Sequence, residues 1–385
     1  MKRHGVVAAL VDALSSLKLT IVCLVLLILI VIGGTIAQVP LGIHAAVESI
    51  IRSFFVWWGP ADAGWKIPVF PGGGLVGAVL LVNLIFAQFR RLELSWKKGG
   101  LWFIHLGLAL LFIGEFATAM FQVESAMPLE VGQTRSYSED YRRVEVAVVD
   151  DSGKDFDDVF SIPDSLLRPG KTISAPGLPF SLKVHAYHVN ANLGMRSPSD
   201  PPGPATVGVG ARMTFEPAPP VTADNEIDSS VALIEPVLPG GESMGVYLLS
   251  NALGAPQGFL REGRHWSLSL RKRRYYHPFS VTLKEFRHDV YPGTDIPKNF
   301  SSLVRLKDAR SGDDRDALIY MNAPLRHAGL TLYQASFGKN DTLSVLQVVR
   351  NPSWTWPYAA CLLVAFGLLW HFYLSLRRSF SGGAP

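Results

Sequence analysis

His105 and His371 are the residues whose positions in this chain ask for chemistry. His105 lies five residues into an apolar run from Leu101 to Phe121. At about 1.5 Å per residue that run makes about 31 Å of helix, the thickness of a hydrocarbon core of about 30 Å. The imidazole is therefore one turn inside lipid, where a polar side chain is costly and faces a protein partner, a cavity or a ligand. His371 comes six residues before Arg377 in a second such run, Trp356 to Leu376, so both rings lie near the same leaflet. Two imidazoles on facing helices, in one chain or across two subunits, can ligate a porphyrin iron from opposite faces. The plainer alternative is that each ring hydrogen-bonds a neighbouring helix, and His371, near the membrane edge beside Trp370, fits it more readily than His105.

Other candidates carry less. Glu115 is ten residues beyond His105, about 15 Å further along the helix and roughly 80° around it, so it does not share that site. It either helps a proton or polar group through the span or is buried against a partner. His185 and His188, three apart on an expected strand, fall on opposite faces and argue against a shared metal. His265, His277, His288 and His327 are scattered. No paired carboxylates or Ser-His arrangement stands out, and Gly72-Gly73-Gly74 lacks the following Lys-Ser/Thr that would hold a nucleotide. The basic run Arg271-Lys-Arg-Arg274, followed by Tyr275-Tyr276, reads either as a dock for an acidic partner or lipid headgroups or as a solvated hairpin turn.

The elements that must position these residues follow from composition. The chain has 385 residues, 48% hydrophobic and 18% charged, the balance of a membrane protein with a sizeable polar portion. Four stretches qualify as spans: Leu19 to Ala37, Leu75 to Phe89 with Gly73 and Gly74 lending length, Leu101 to Phe121, and Trp356 to Leu376. Cations flank them unevenly. Lys2, Arg3 and Lys18 precede the first, Arg90, Arg91, Lys97 and Lys98 fill the loop between the second and third, and Arg377 and Arg378 follow the fourth. By the positive-inside rule both termini and the 90s loop are cytoplasmic, and residues from Gln122 to about Ser353 lie outside. An alternative at the N-terminus is a cleavable signal peptide, with Thr20 to Ile32 as its apolar core and Thr35-Ile36-Ala37 as its small residues. Cleavage would break the four-span scheme.

Net charge is +4, yet residues 122–352 hold 25 Lys plus Arg against 27 Asp plus Glu. The basicity thus belongs to topology, and nucleic-acid binding is excluded for want of a basic face. Cys23 and Cys361 both fall in spans, so no disulfide staples the outer region. Without C-x-x-C or C-x-x-C-H the chain is neither a thioredoxin-like redox protein nor a c-type cytochrome.

Residues 5–17 suggest a short interfacial helix. The loop from Val39 to Gly72, with Phe54, Phe55, Trp57, Trp58 and Trp65, fits an aromatic belt. Strands are expected at Val144–Val149, Phe180–His185, Val231–Ile234, Phe279–Leu283 and Thr342–Val349, which are alternating or β-branched and bounded by Gly, Pro and Asp. The Pro, Gly and Ser-rich stretch from Arg196 to Pro220 reads as a long loop or flexible insertion. No internal repeat is found. The expected division is an N-terminal segment 1–18, spans at 19–37, 74–89, 101–121 and 354–376, an aromatic loop 38–73, a basic loop 90–100, an external β-rich domain 122–353 and a tail 377–385. The fold class is membrane α plus extracytoplasmic β, a β-sandwich or barrel-like domain on a four-helix stem, inserted between helices three and four.

In the C-terminal half the motifs become specific. Tyr291-Pro-Gly-Thr-Asp-Ile-Pro297 with Phe300, Tyr320-Met-Asn-Ala-Pro-Leu325 with Gly329, Tyr333-Gln-Ala-Ser-Phe337, and Val345-Leu-Gln-Val-Val-Arg-Asn-Pro352 leading into a span together resemble the ResB (CcsB) family of cytochrome c biogenesis proteins. Ser16-Leu-Lys-Leu-Thr20 and His105-Leu-Gly107 are similar too, so the resemblance runs along the chain. It implies four transmembrane helices and a large external ResB domain between the third and fourth, in a bacterial cytoplasmic (inner) membrane. It implies a partner, CcsA, with which a ResB-like subunit exports haem b and presents it to apocytochrome c for thioether attachment at C-x-x-C-H. His105 matches the family's third-span haem ligand, the second ligand being expected from CcsA. The tryptophan-rich motifs of CcsA are missing here, and Trp354-Thr-Trp356 before Pro357 reads as a belt. The external cysteine of some relatives is also missing. The expected role is therefore a required subunit of a cytochrome c synthase without a complete active site of its own. Two alternatives stand beside it: a bis-histidine haem electron carrier using His105 and His371, and a membrane-anchored protein-binding module without a cofactor.

Overall fold

A computed structural model of the chain describes all residues except 1, 61–64, 154–155, 198, 200, 223–225, 295–296, 340 and 381–385. Asp295 and Ile296 of the 291–297 motif and residues 381–385 of the expected tail lie outside the described residues. The chain divides into a helical unit, residues 1–123 and 351–385, and a sheet unit, residues 124–221 and 225–350.

The helical unit contains α1 (Lys2–Leu14), α2 (Leu17–Leu41), α3 (Ile43–Ala46), a hairpin of β1 (Phe55–Trp58) and β2 (Ile67–Pro71), α4 (Gly73–Arg91), α5 (Gly99–Phe121) and α6 (Trp356–Phe380). Four helices, α2, α4, α5 and α6, are long and apolar enough to cross a membrane. The break between α1 and α2 falls at Ser15-Ser16, and the carbonyls freed there need donors. Asn83, buried in α4, supplies them: its Nδ2 donates to Leu14 O at 2.6 Å and to Ser16 O at 3.1 Å, while its Oδ1 accepts from Thr20 Oγ1 at 2.6 Å. Asn83→Leu is expected to lower the stability of the helical unit by about 1–2 kcal/mol, read as a lower denaturant midpoint in micelles. An unchanged midpoint would mean that water already serves those carbonyls.

Gly72 and Gly73 have a different role from phosphate binding. A Cβ on Gly72 would lie 2.1 Å from Ser53 O, and one on Gly73 2.3 Å from Ile51 O. Only glycine lets the start of α4 sit against residues 51–53, where Gly74 N–H donates to Ser53 O at 3.0 Å. The β1–β2 hairpin above it exposes Phe55, Trp57, Trp58, Ile67 and Val69.

Helices α5 and α6 run antiparallel along a seam of small residues. Gly100, Gly107 and Gly114 recur every seven residues on α5, and Ala360 and Gly367 do so on α6, all of them buried. A Cβ on Gly100 would meet Gly367 O at 2.6 Å, and one on Gly107 would meet Val364 Cγ2 at 2.7 Å and Ala360 O at 2.8 Å. The backbones touch, as is usual where helices associate by packing rather than by hydrophobic burial. Aromatic rings brace the seam at one end, Phe103 against Phe366 at 4.9 Å and Trp96 against Trp370 at 4.5 Å. Polar groups brace the other, where Thr118 Oγ1 meets Ser353 Oγ at 3.0 Å and Asn351 Nδ2 donates to Gln122 Oε1 at 3.2 Å.

The strands that follow α5 in the chain and precede α6 are β3 (Val123–Glu130), β4 (Thr134–Asp150), β5 (Asp158–Pro163), β6 (Thr172–Ile173), β7 (Ser181–His188), β8 (Ala191–Met195), β9 (Met213–Pro217), β10 (Val231–Val237), β11 (Tyr247–Ser250), β12 (Gln257–Arg261), β13 (Arg264–Val290), β14 (Pro297–Asp308), β15 (Asp313–Tyr320), β16 (Leu325–His327), β17 (Leu330–Gly338) and β18 (Leu343–Arg350). The main sheet has the order β15-β14-β13-β4-β3-β18-β17-β16, with β12 on β13 and β5 on β4. A second sheet, β11-β10-β7-β6, packs Leu182, Val184, Ile234 and Leu249 against Val146, Val148, Trp266 and Leu268 of the first. The remaining strands bury another core around Met127, Phe279, Val281, Leu283, Leu306 and Leu346. Strand β13 serves both cores. Its first residues face one, its last the other, and its partner β4 runs beside it from Trp266↔Asp150 to Thr282↔Thr134.

Two expectations are corrected here. Arg271–Tyr276 is no hairpin turn, because it lies in the middle of the 27-residue β13. Two of its four cations are matched by acids on β4, Arg271 with Glu145 at 3.0 Å and Arg274 with Glu139 at 3.2 Å, while Arg273 lies over the Tyr275 ring at 5.4 Å and Tyr275 donates to Asp140 at 2.8 Å. The stretch 196–220 is no free loop either: β8 pairs with β9, and Ala205, Met213 and Phe215 cover the outer face of the second sheet at Val231, Leu233 and Leu248.

Candidate functional site

The site is built on the face of α5 that meets α4. Helix α5 forms because Leu101 to Phe121 is apolar almost throughout, and its orientation is set by the glycine seam. At 100° per residue His105 lies about 160° around the helix from that seam. It shares its face with Trp102, Phe112 and Phe116. This is the side turned to α4: Phe89 meets Trp102 at 5.6 Å, Gln88 Nε2 donates to Trp102 O at 3.5 Å, and Phe116 lies 3.7 Å from where Gly77 would carry a Cβ.

His105 is half-buried, and its Nδ1 lies 2.7 Å from Leu101 O. A carbonyl oxygen only accepts, so in this hydrogen bond Nδ1 is the donor, and in the neutral ring Nε2 is then the nitrogen with the lone pair. An imidazole fixed by a backbone carbonyl on one nitrogen and open on the other is the usual form of a metal-binding histidine. The geometry therefore suits one axial bond to iron.

His371 is on α6 beside Gly100, whose Cβ, if present, would lie 3.0 Å from its own. That places it at the seam, across the α5 backbone from His105, and its ring is exposed next to Phe372 at 6.0 Å. The structure does not bring the two histidines together. Glu115 is exposed, between the seam and the α4 face, and has no hydrogen-bond or ion-pair partner among the described residues.

Two neighbours of His105 carried no signal in the pattern of charges. Gln88 is 8% exposed on α4, and its Oε1 has no hydrogen-bond partner among the described residues. Trp102, three residues before His105 and so on the same face, donates its Nε1 to Glu93 O at 3.2 Å. It also lines a cleft of about 450 Å³ at the basic end of the helices, together with Phe89, Arg90, Arg91, Glu93 and Leu94. The spacing of Trp102 and His105 at i, i+3 was legible; the cleft, which needs the α4–α5 turn, was not.

In the sheet unit the histidines are engaged separately. His185 Nε2 meets Glu235 at 2.6 Å while His188 rests on Phe215 at 5.5 Å, and His265, His277 and His327 meet Asp151, Ser138 and Asp308. Burial pushes the His277 imidazole below its ordinary pKa, and the hydrogen bond from His327 holds the Asp308 carboxyl below the usual carboxylate range. Among the described residues no three His, Cys, Asp or Glu side chains are grouped to hold a metal ion.

Comparison with known proteins bears on the whole. The sequence profile of the ResB-like family matches residues 257–345, from the first residue of β12 into β18. Protein NrfI of Wolinella succinogenes is 31% identical over 94 residues, 24% of this chain and 10% of that protein. Cytochrome c biogenesis protein CcsB of Thermosynechococcus vestitus is 28% identical over 151 residues, 37% of this chain and 34% of that one. The matches thus cover about a tenth and a third of the lengths of these relatives. The strands of residues 257–345, which help to build one core of the sheet unit, are thus similar to the ResB-like family, and two relatives are similar over part of the chain.

Proposed function

We propose that this chain is a haem-handling subunit of a membrane assembly that matures c-type cytochromes. The observation that carries the proposal is His105: an imidazole within a long apolar helix, with Nδ1 tied to Leu101 O and no hydrogen bond recorded at Nε2 among the described residues. In this reading haem b is cargo, and His105 Nε2 supplies one axial bond while a CcsA-type partner supplies the other. The basic end of the helices, with Arg90, Arg91, Lys97, Lys98, Arg377 and Arg378, is cytoplasmic, and the sheet unit is extracytoplasmic, where apocytochrome c is met. The chain holds and orients haem, and the thioether chemistry belongs to the assembly as a whole. The similarity to the Thermosynechococcus cytochrome c biogenesis protein supports the pathway; the histidine's chemistry supports the cargo.

The test is the haem content of the full chain, purified with and without a CcsA-type partner and read as a pyridine haemochrome. His105→Ala is expected to lose haem beyond the roughly 10- to 100-fold typical of losing a supporting residue at a metal site, and His371→Ala to keep it. Haem retained in His105→Ala would remove this reading. Equal loss in both variants would favour the single-chain electron carrier instead.

A further inference from the structure

We propose that the cleft between the end of α4 and the start of α5 receives the carboxylate edge of the porphyrin, with Arg91 and Arg90 gripping its two carboxylates. The inference rests on the His105 reading and extends it to the two arginines at the end of α4. Arg91 is exposed and has no ion-pair partner among the described residues. Arg90 reaches Asp12 at 3.1 Å, but both side chains are 59% exposed, and a pair so exposed contributes little and exchanges readily. The one acid in the lining, Glu93, hydrogen-bonds Lys98 at 2.8 Å, so its charge has a cation beside it, and its side chain is 78% exposed to screening solvent.

The walls suit a flat ring. Phe89 and Trp102 present aromatic surface beside the arginines, and a planar macrocycle with two carboxylates at one edge needs apolar faces and a cationic rim. At about 450 Å³ the cleft takes one edge of such a molecule rather than all of it. The remainder has a direction to follow, since Trp102 is one turn, about 4.5 Å, from His105 on the same face. Gln88 stands beside Trp102, its Nε2 donating to Trp102 O and its buried Oε1 without a hydrogen-bond partner among the described residues.

The test compares iron protoporphyrin IX with its dimethyl ester on the full chain in nanodiscs. The parent protein is expected to retain the acid roughly tenfold better than the ester. In Arg90→Gln/Arg91→Gln the acid should fall to the ester's level with the ester unchanged. Arg90→Lys/Arg91→Lys, which keeps the topogenic charges but loses the guanidinium fork, should fall between. Equal binding of acid and ester by the parent, or full discrimination surviving in the glutamine variant, would overturn the proposal. So would loss of co-purified anionic phospholipid from the glutamine variant without a change in discrimination, which would make the cleft a headgroup site. Failure of the His105 reading shows elsewhere, as haem surviving His105→Ala.

Discussion

Glu145→Ala is expected to lower the unfolding temperature of the sheet unit by roughly 10 °C. Glu145 is wholly buried in β4, accepts from Arg271 Nε at 3.0 Å and also accepts from the Ser161 hydroxyl. Arg271 is itself mostly buried, its side chain 18% exposed, and it reaches Tyr276 Oη at 3.2 Å. Removing the carboxylate strands a guanidinium among strands, and breaking a buried pair in this way costs about 3–5 kcal/mol. That is a large part of the about 5–15 kcal/mol that holds a domain together. The double variant Glu145→Ala/Arg271→Met should recover much of the loss, because an apolar pair leaves no charge behind. Thermal unfolding followed by circular dichroism decides it: a single variant melting within about a degree of the parent would show that water reaches Arg271.

Gly107→Leu should part α5 from α6. Even a methyl group there would overlap Val364 Cγ2 and Ala360 O, at 2.7 and 2.8 Å, and the second of these is backbone that cannot rotate away. Overpacking of this kind costs about 1–3 kcal/mol, so the packed pair should become roughly tenfold less populated relative to the separated one. Cysteines replacing Phe103 and Phe366, whose rings are 4.9 Å apart, in a background without Cys23 and Cys361, would report it as a fall in oxidative cross-linking. Undiminished cross-linking would mean that the helices slide along the seam rather than separate. The same variant at Gly5, where nothing lies within 4 Å, is the control.

The four long apolar helices and several strands could be read from the sequence because each is specified by its own pattern. Val144–Val149 and Val231–Ile234 are β-branched and bounded by breakers, and both are strands in the fold. What was lost was non-local. Four successive cations followed by two tyrosines resemble a solvated turn until Glu139, Asp140 and Glu145 are known to stand opposite on β4, more than a hundred residues away in the chain. Strands β8 and β9 lie in Pro and Gly-rich sequence that says nothing of the apolar face of β10 and β11 it covers. The site was half legible. His105 announced itself by being polar within a long apolar run, whereas Asn83 and Gln88 sit in the shortest of the four long apolar helices and matter through carbonyls on other helices. The seven-residue spacing of Gly100, Gly107 and Gly114 was present in the sequence, but its meaning depends on α6 carrying Ala360 and Gly367 at the same interval.

Strand β13 gives the sheet unit a property that neither core has alone. Since one uninterrupted ribbon furnishes a wall to each hydrocarbon interior, a protease nick between Arg271 and His277 would breach both at once. The halves are bound to a shared fate, melting as one cooperative body although their oily centres are separate.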